Sequence, residues 1–289
     1  MDNKNIIIIG SGPAGISAAL YTTRAGLDTT IIASGGSALE KAAEIENYYG
    51  FAAPVSGKKL LADGIAQAKR LGAEIIAQEV VGIQELSEGF SVRTETAAYS
   101  CKTLILATGA SRAKPKWQGI NTFEGMGVSY CAVCDGFFFR GKDVAVAGSG
   151  AYALHEAQAL LPIVRSVTLC TDGKPLTADF PPKIKISDQP VAALEGDTAI
   201  SAIKFADGTS LPVSCLFVAI GSAGSTDLAN SLGAEIEGGS IKTDSQMRTN
   251  IPGLLAAGDC TGGMKQIAKA VYEGAAAGTE AVRMGQKND

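Results

Sequence analysis

Cys131 and Cys134 stand two residues apart in "SYCAVCDGFFFRGKDVAVAGSG", residues 129–150, directly ahead of a glycine-rich turn. Two intervening residues let the sulfurs close into a bridge and open again. A nearby charge or helix start then sets how readily one thiol ionises. Dithiol–disulfide exchange is the chemistry that these residue types and this spacing offer. Zinc is the rival use, but a structural zinc site needs four ligands, normally with a second Cys/His pair. The chain has only Cys101, Cys170, Cys215 and Cys260, each alone, and one histidine, His155. No metal site is expected, and the four single cysteines read as small buried hydrophobes.

The glycine turns come next. Asn5 to Ile9 is a short apolar strand, followed at once by Gly10-Ser11-Gly12-Pro13-Ala14-Gly15. "ISAALYTTRAGL" has helical apolar spacing and "TTIIAS" reads as the next strand, so the G-x-G-x-x-G pattern sits in a βαβ unit. In that setting Gly10 makes the turn, Gly12 lets a pyrophosphate approach the backbone, and Gly15 lets helix and strand pack closely. The N–H groups of the helix start hold the phosphate charge. The acidic residue that would bind ribose after the second strand is missing, because the chain reads Ala33-Ser34-Gly35. Recognition of the adenosine is therefore shared with other segments, the loop after Ile32 and "IENYYG", residues 45–50, being the candidates.

A second unit begins at Lys142: "KDVAVAGSG" is a strand and turn, "AYALHEAQALLPIV" a helix, "SVTLCTDG" a strand. Gly148, Gly150 and Ala153 match G-x-G-x-x-A, so the chain is α/β with two Rossmann-like dinucleotide units. "TLILATGA", residues 103–110, is a buried strand ending in small residues. "IPGLLAAGDCTGG", residues 251–263, is another, ending at Gly258-Asp259 before the helix "KQIAKAVYEGAAAGTEAV". Asp259 is placed to bond cofactor hydroxyls, to cap the helix, or to do both.

Composition narrows the class. With 289 residues, 46% of them hydrophobic, and a net charge of −4, nothing points to nucleic acid. No apolar run approaches the roughly 20 residues of a membrane-spanning helix. The N-terminal apolar run is too short for a signal peptide, which favours the cytoplasm.

GSGPAG at the start, ATG mid-chain, C-A-V-C-D-G, a second glycine turn and AAGD near the end resemble, in order, the low-molecular-weight thioredoxin reductases. The resemblance implies an FAD-binding domain in two pieces, residues 1–112 and 240–289. A redox-active disulfide domain, residues 113–239, is inserted between them. It also implies a homodimer with thioredoxin as the protein substrate. Carried over, the FAD contacts are Gly10, Ser11, Gly12, Pro13, Ala14, Gly15, Asn47, Val80, Gly109, Asp259, Lys265, Gln266 and Ile267. "EVVG" offers two valines for the Val80 place. Cys134 corresponds to the thiol beside the flavin, Cys131 to the one that attacks the partner, and Asp135 to the acid that manages the thiol proton.

The family pattern fails in the middle domain. NADPH-using members carry His-Arg-Arg after its second strand, where arginine binds the ribose phosphate bidentately. This chain has Cys170-Thr171-Asp172-Gly173 there and no arginine between Gly173 and Thr198. Ala151-Tyr152 follow the second turn, and the tyrosine either covers the pyrophosphate place or packs inward. Three explanations compete. NADH replaces NADPH, with Asp172 on the ribose; the chain is a regulatory flavin module; or a protein donor supplies the electrons. The third matches the ferredoxin-dependent flavin thioredoxin reductases, which keep FAD and C-x-x-C but lack the pyridine-nucleotide motifs. The alternative is an NAD(P)H-dependent reductase with an atypical nucleotide site. Ferredoxin docking calls for basic residues, and Lys58, Lys59, Lys69, Arg70, Arg112, Lys114 and Lys116 are the candidates.

Overall fold

The computed structural model describes residues 2–35, 37–110 and 115–286. The chain forms two compact units, Met1–Arg112 with Gly224–Asp289, and Ala113–Ala223. Residues 224–239, which the sequence pattern assigns to the insert, pack with the first unit instead. Arg112 and Lys114 lie outside the described residues.

In chain order the first unit begins with β1 (Asp2–Ile9), α1 (Pro13–Arg24), β2 (Thr29–Ile32), α2 (Gly57–Arg70) and β3 (Glu74–Ile76). β4 (Val80–Glu85), β5 (Phe90–Thr94) and β6 (Ala98–Leu106) follow as an antiparallel meander. The second unit holds β7 (Val128–Ser129), α3 (Ala132–Asp135), β8 (Asp143–Ala147), α4 (Ala151–Leu160), β9 (Ser166–Cys170) and β10 (Lys185–Ser187). It continues with β11 (Val191–Gly196), β12 (Ile200–Phe205), β13 (Ser210–Pro212) and β14 (Cys215–Val218). The chain then returns to the first unit as α5 (Ser225–Ser231), β15 (Ile236–Glu237), β16 (Ser240–Ile241), β17 (Leu254–Ala256) and α6 (Ile267–Gln286).

Both units share one plan. In the first, parallel strands run β3-β2-β1-β6-β17, with β5 and β4 continuing the sheet beyond β6. In the second, five parallel strands run β10-β9-β8-β14-β7, beside a separate antiparallel sheet β11-β12-β13. Isoleucines 6–9 are buried along their whole run, as a strand covered on both faces requires. Pro13 opens α1, where its fixed φ suits a helix start. α6 lies tightly on α1 because Gly274 and Gly278, four residues apart, share a face. A Cβ on Gly274 would overlap the Ala14 carbonyl, and one on Gly278 would come within 2.6 Å of the Ala18 carbonyl. Among the described residues no helix is long and apolar enough to cross a membrane.

Candidate functional site

The strand register assembles the first site. Ile76, Ile32, Ile9, Leu106 and Ala256 form one row across β3, β2, β1, β6 and β17. The Gly10 turn, the Ala107–Gly109 turn and the Gly258–Asp259 turn therefore leave the sheet side by side at its carboxyl end, where open α/β sheets bind ligands. Gly10 has φ +112° and donates its N–H to the Ile32 carbonyl at 3.0 Å. A side chain there would overlap the Ala107 carbonyl, and one on Gly15 would overlap the Gly10 carbonyl. Gly12 is different. It caps α1 with no side-chain partner, and among the described residues a Cβ there meets nothing nearer than Ser37 Oγ at 3.7 Å. Glycine at this place keeps open the approach to the N–H groups of the helix start.

The neighbouring turns are braced from behind. Among the described residues nothing stands within 4 Å of a side-chain carbon placed on Gly109, at φ +82°. Thr108 ahead of it is clasped to the start of α5: its N–H donates to Ser225 Oγ at 3.1 Å, and the Ser225 N–H donates to Thr108 Oγ1 at 2.7 Å. Asp259 opens a short 3-10 turn after Gly258. Lys269 Nζ holds that turn, donating to the Gly258 carbonyl, Thr261 Oγ1 and Glu273 Oε2, each at 2.9 Å. The Gly258 N–H in turn donates to Glu273 at 2.8 Å. Asn47 Nδ2 donates to Gln266 Oε1 at 2.9 Å, joining residues 219 apart in sequence. Lys265 is exposed and Ile267 begins α6. Val80 opens β4, four residues past Ile76, and both it and Val81 are buried.

The second site is the cysteine turn. Cys131 and Cys134 are joined by a disulfide, with Cα atoms 5.3 Å apart. Cys131 is 7% exposed and caps α3, while Cys134 is exposed. Ser129 Oγ donates to Asp135 Oδ2 at 2.7 Å and accepts from the Cys131 N–H at 3.1 Å. The Ala132 N–H donates to Glu156 Oε2 at 2.6 Å, reaching across to α4. Val133, Phe137 and Phe138 leave exposed apolar surface on the same turn. Sequence reasoning singled out the cysteines and Asp135 but not Ser129 and Glu156, which bond to the same turn. Glu156 had one signal, as the one acid in the helix pattern "AYALHEAQALLPIV". The other four cysteines are buried. Burial pushes the Cys101 and Cys170 thiols up to about 12 and Cys260 to about 11, and raises Cys215 as well.

The second glycine turn repeats the first in backbone and departs from it above. Gly148 has φ +150° and donates to the Cys170 carbonyl at 3.0 Å. Over Gly150, however, lies Thr177. Its N–H donates to the Ser149 carbonyl at 2.8 Å, and a Cβ on Gly150 would stand 3.0 Å from its Oγ1. Asp172, at φ +56°, turns its carboxylate onto the Val191 N–H at 2.7 Å. Tyr152 packs inward, 4% exposed, and donates to the Tyr130 carbonyl at 3.3 Å.

Residues 4–274 match the family model described as pyridine nucleotide-disulphide oxidoreductase. The thioredoxin reductase of Streptomyces coelicolor is 38% identical over 89% of this chain and 86% of its own length. The chain belongs to the low-molecular-weight thioredoxin reductase family. Two solved structures are similar over nearly the whole chain. One is the atypical thioredoxin reductase TRi from Desulfovibrio vulgaris Hildenborough, 41% identical, with TM-score 0.92 and 98% of each chain covered. The other is a ferredoxin-flavin thioredoxin reductase from Clostridium acetobutylicum, 31% identical, with TM-score 0.75 and 99% of each chain covered. As a thioredoxin reductase-like flavin disulfide reductase the chain uses FAD, and the open Gly12 cradle beside the Gly109 and Asp259 turns fits that group.

Proposed function

We propose that this chain is a cytoplasmic, homodimeric ferredoxin-dependent flavin thioredoxin reductase, taking electrons from reduced ferredoxin through FAD to the Cys131–Cys134 disulfide and on to thioredoxin. The observation that carries the donor assignment is the occupied second turn. Thr177 bonds Ser149 over Gly150, and Asp172 is engaged with Val191, so neither is offered to a pyridine nucleotide. FAD supplies the conversion between single electrons and the pair that a disulfide takes. Gly10, Ser11, Gly12, Pro13, Ala14 and Gly15 hold its pyrophosphate. Asn47, Val80, Gly109, Asp259 and the Lys265–Ile267 helix start hold the remainder.

In the exchange, Cys134 receives the electrons and Cys131 attacks. Cys131 loses its proton and bonds one sulfur of the thioredoxin disulfide, and the other sulfur leaves as a thiolate and is protonated. Cys134 then displaces the bound sulfur and re-forms the bridge. Two electrons and two protons pass in all. Asp135, held by Ser129, takes and returns the proton. Val133, Phe137 and Phe138 give thioredoxin apolar surface to rest on. Because Cys131 is buried, its attack requires the turn to open.

For the donor, Lys58, Lys59, Lys69 and Arg70 are all exposed on α2. Positions 58 and 69, like 59 and 70, are eleven residues apart, about three turns, which aligns them in one basic strip. Lys59 is partly offset by Asp63 at 2.7 Å. Lys116 is exposed in the other unit. The test is anaerobic titration of the flavoprotein with NADPH, NADH and reduced ferredoxin, followed by flavin absorbance. Ferredoxin should bleach the flavin quickly, at a rate that falls with salt, because docking charges are screened over about 10 Å at 0.1 M. Rapid, saturable bleaching by either nucleotide would restore an ordinary reductase.

A further inference from the structure

We propose that Glu156 is a positioning residue for disulfide exchange: its buried carboxylate holds the first N–H of the cysteine turn and keeps Cys131 a thiol, rather than a thiolate, in the reduced enzyme. This rests on the reading of Cys131–Cys134 as the working pair.

A cysteine at a helix start is ordinarily made acidic by the N–H groups of the first turn. Here those groups are divided. The Cys131 N–H goes to Ser129 Oγ and the Ala132 N–H to Glu156 Oε2, leaving Cys131 Sγ the Cys134 N–H at 3.1 Å. The shortest contact of the set, at 2.6 Å, ends on a carboxyl group of a residue only 6% exposed. When ionised, it places a negative charge beside the residue next to Cys131, and like charges close together disfavour ionisation. Among the described residues, the other titratable groups around the turn include Asp135 through Ser129, Cys215 near Asp135, Tyr130 beside Cys131, Tyr152 and half-buried His155 on α4, and Cys134 itself. Asp135, also a carboxylate, acts in the same sense as Glu156. The consequence is a reduced pair that stays unreactive toward stray oxidants until a partner disulfide is engaged.

The experiment uses the FAD-loaded enzyme reduced with dithiothreitol. Iodoacetamide alkylation of Cys131 is timed at pH 7 and assigned by peptide mass. Glu156→Gln keeps an acceptor for the Ala132 N–H and removes the charge. It should alkylate about tenfold faster, the low end of the effect of a close like charge, with melting temperature and flavin spectrum unchanged. Acceleration of threefold or more supports the proposal; a smaller change overturns it and makes Glu156 a structural cap. Should the variant misfold, the parent decides. Its Cys131 alkylation rate should still climb between pH 8 and 9, and a rate already level at pH 8 overturns the proposal. The enzyme is reduced chemically, and neither ferredoxin nor a nicotinamide enters this assay, so its outcome is independent of the ferredoxin reading.

Discussion

At Gly12 an added side-chain carbon would find Ser37 Oγ, 3.7 Å away, as its nearest neighbour among the described residues; at Gly150, the matching place in the second unit, it would stand 3.0 Å from Thr177 Oγ1. Beneath these two positions the turns are near copies. Gly10 and Gly148 each donate at 3.0 Å to the end of the next strand. Ala107 and Ala219 donate at 2.8 Å to Ile9 and Ala147 in the two units. A side chain at Gly10 or Gly148 would overlap the carbonyl of Ala107 or Ala219. The backbone of such a turn is thus demanded by the βαβ fold itself. Whether it serves a dinucleotide depends on what the chain lays over the helix start.

The sharpest way to break that comparison is to place the same charge in both turns. Gly12→Asp should abolish FAD retention, because a carboxylate would occupy and repel the approach of the pyrophosphate; the flavin-to-protein ratio after desalting reads this directly. Gly150→Asp should purify with its full complement of FAD. Its backbone, at φ −115°, accepts a side chain, and crowding against Thr177 should cost about 1 kcal/mol, an ordinary mutational effect. If Gly150→Asp also emptied the enzyme of flavin, the division of labour between the turns would be wrong.

A smaller effect reports on how firmly the second turn is closed. Cys170 lies directly under it, accepting from the Gly148 N–H through its carbonyl, and its thiol is pushed up to about 12, chiefly by burial and further by the Asp172 charge. A raised thiol stays protonated below that value, so its share of stability is full at neutral pH. That share is lost only as pH climbs from the unfolded value near 9 toward 12. At pH 8 the reduced native enzyme should therefore label at Cys131 and Cys134 while Cys170 stays unmodified. Labelling of Cys170 at a rate near that of Cys134 would show the turn opening freely.

The sequence made the sheet ends legible because glycine spacing and apolar runs are local signals. The Gly10 turn, the strand before Asp259 and the cysteine pair all declare themselves within a few residues. What stayed hidden depends on residues distant in sequence. The second unit closes at Ala223 rather than at residue 239, and next to that boundary Ser225 clasps Thr108, 117 residues away. Asp172 stands near the place where an acid would bind ribose, yet a left-handed turn points it at Val191. Tyr152 could have faced either way, and only the packing of α4 sends it inward. Ser129 and Glu156 escaped because a hydroxyl and a lone acid acquire a role only once β7, α3 and α4 are brought together.

The smallest expected effect separates the two features proposed to bar a pyridine nucleotide. Thr177→Ala removes the Oγ1 that stands over Gly150 but keeps the backbone bond to Ser149. The lost hydroxyl contact, at 3.4 Å, is weak. Its removal should cost about 0.5 kcal/mol, the low end for a hydrogen bond, and lower the melting temperature by about 1–2 °C. NADPH should still leave the flavin oxidised. Two charge-assisted contacts to the ribose phosphate, each worth about 1.5–3 kcal/mol, remain missing, because residues 173–198 contain no arginine. Together they account for two to four powers of ten in affinity, against which a cleared path of one hydroxyl counts for little. Flavin bleaching by NADPH in this variant alone would identify Thr177 as the barrier and demote the absent arginines. Bleaching that appears only when arginines are also introduced after Cys170 would rank the two causes the other way.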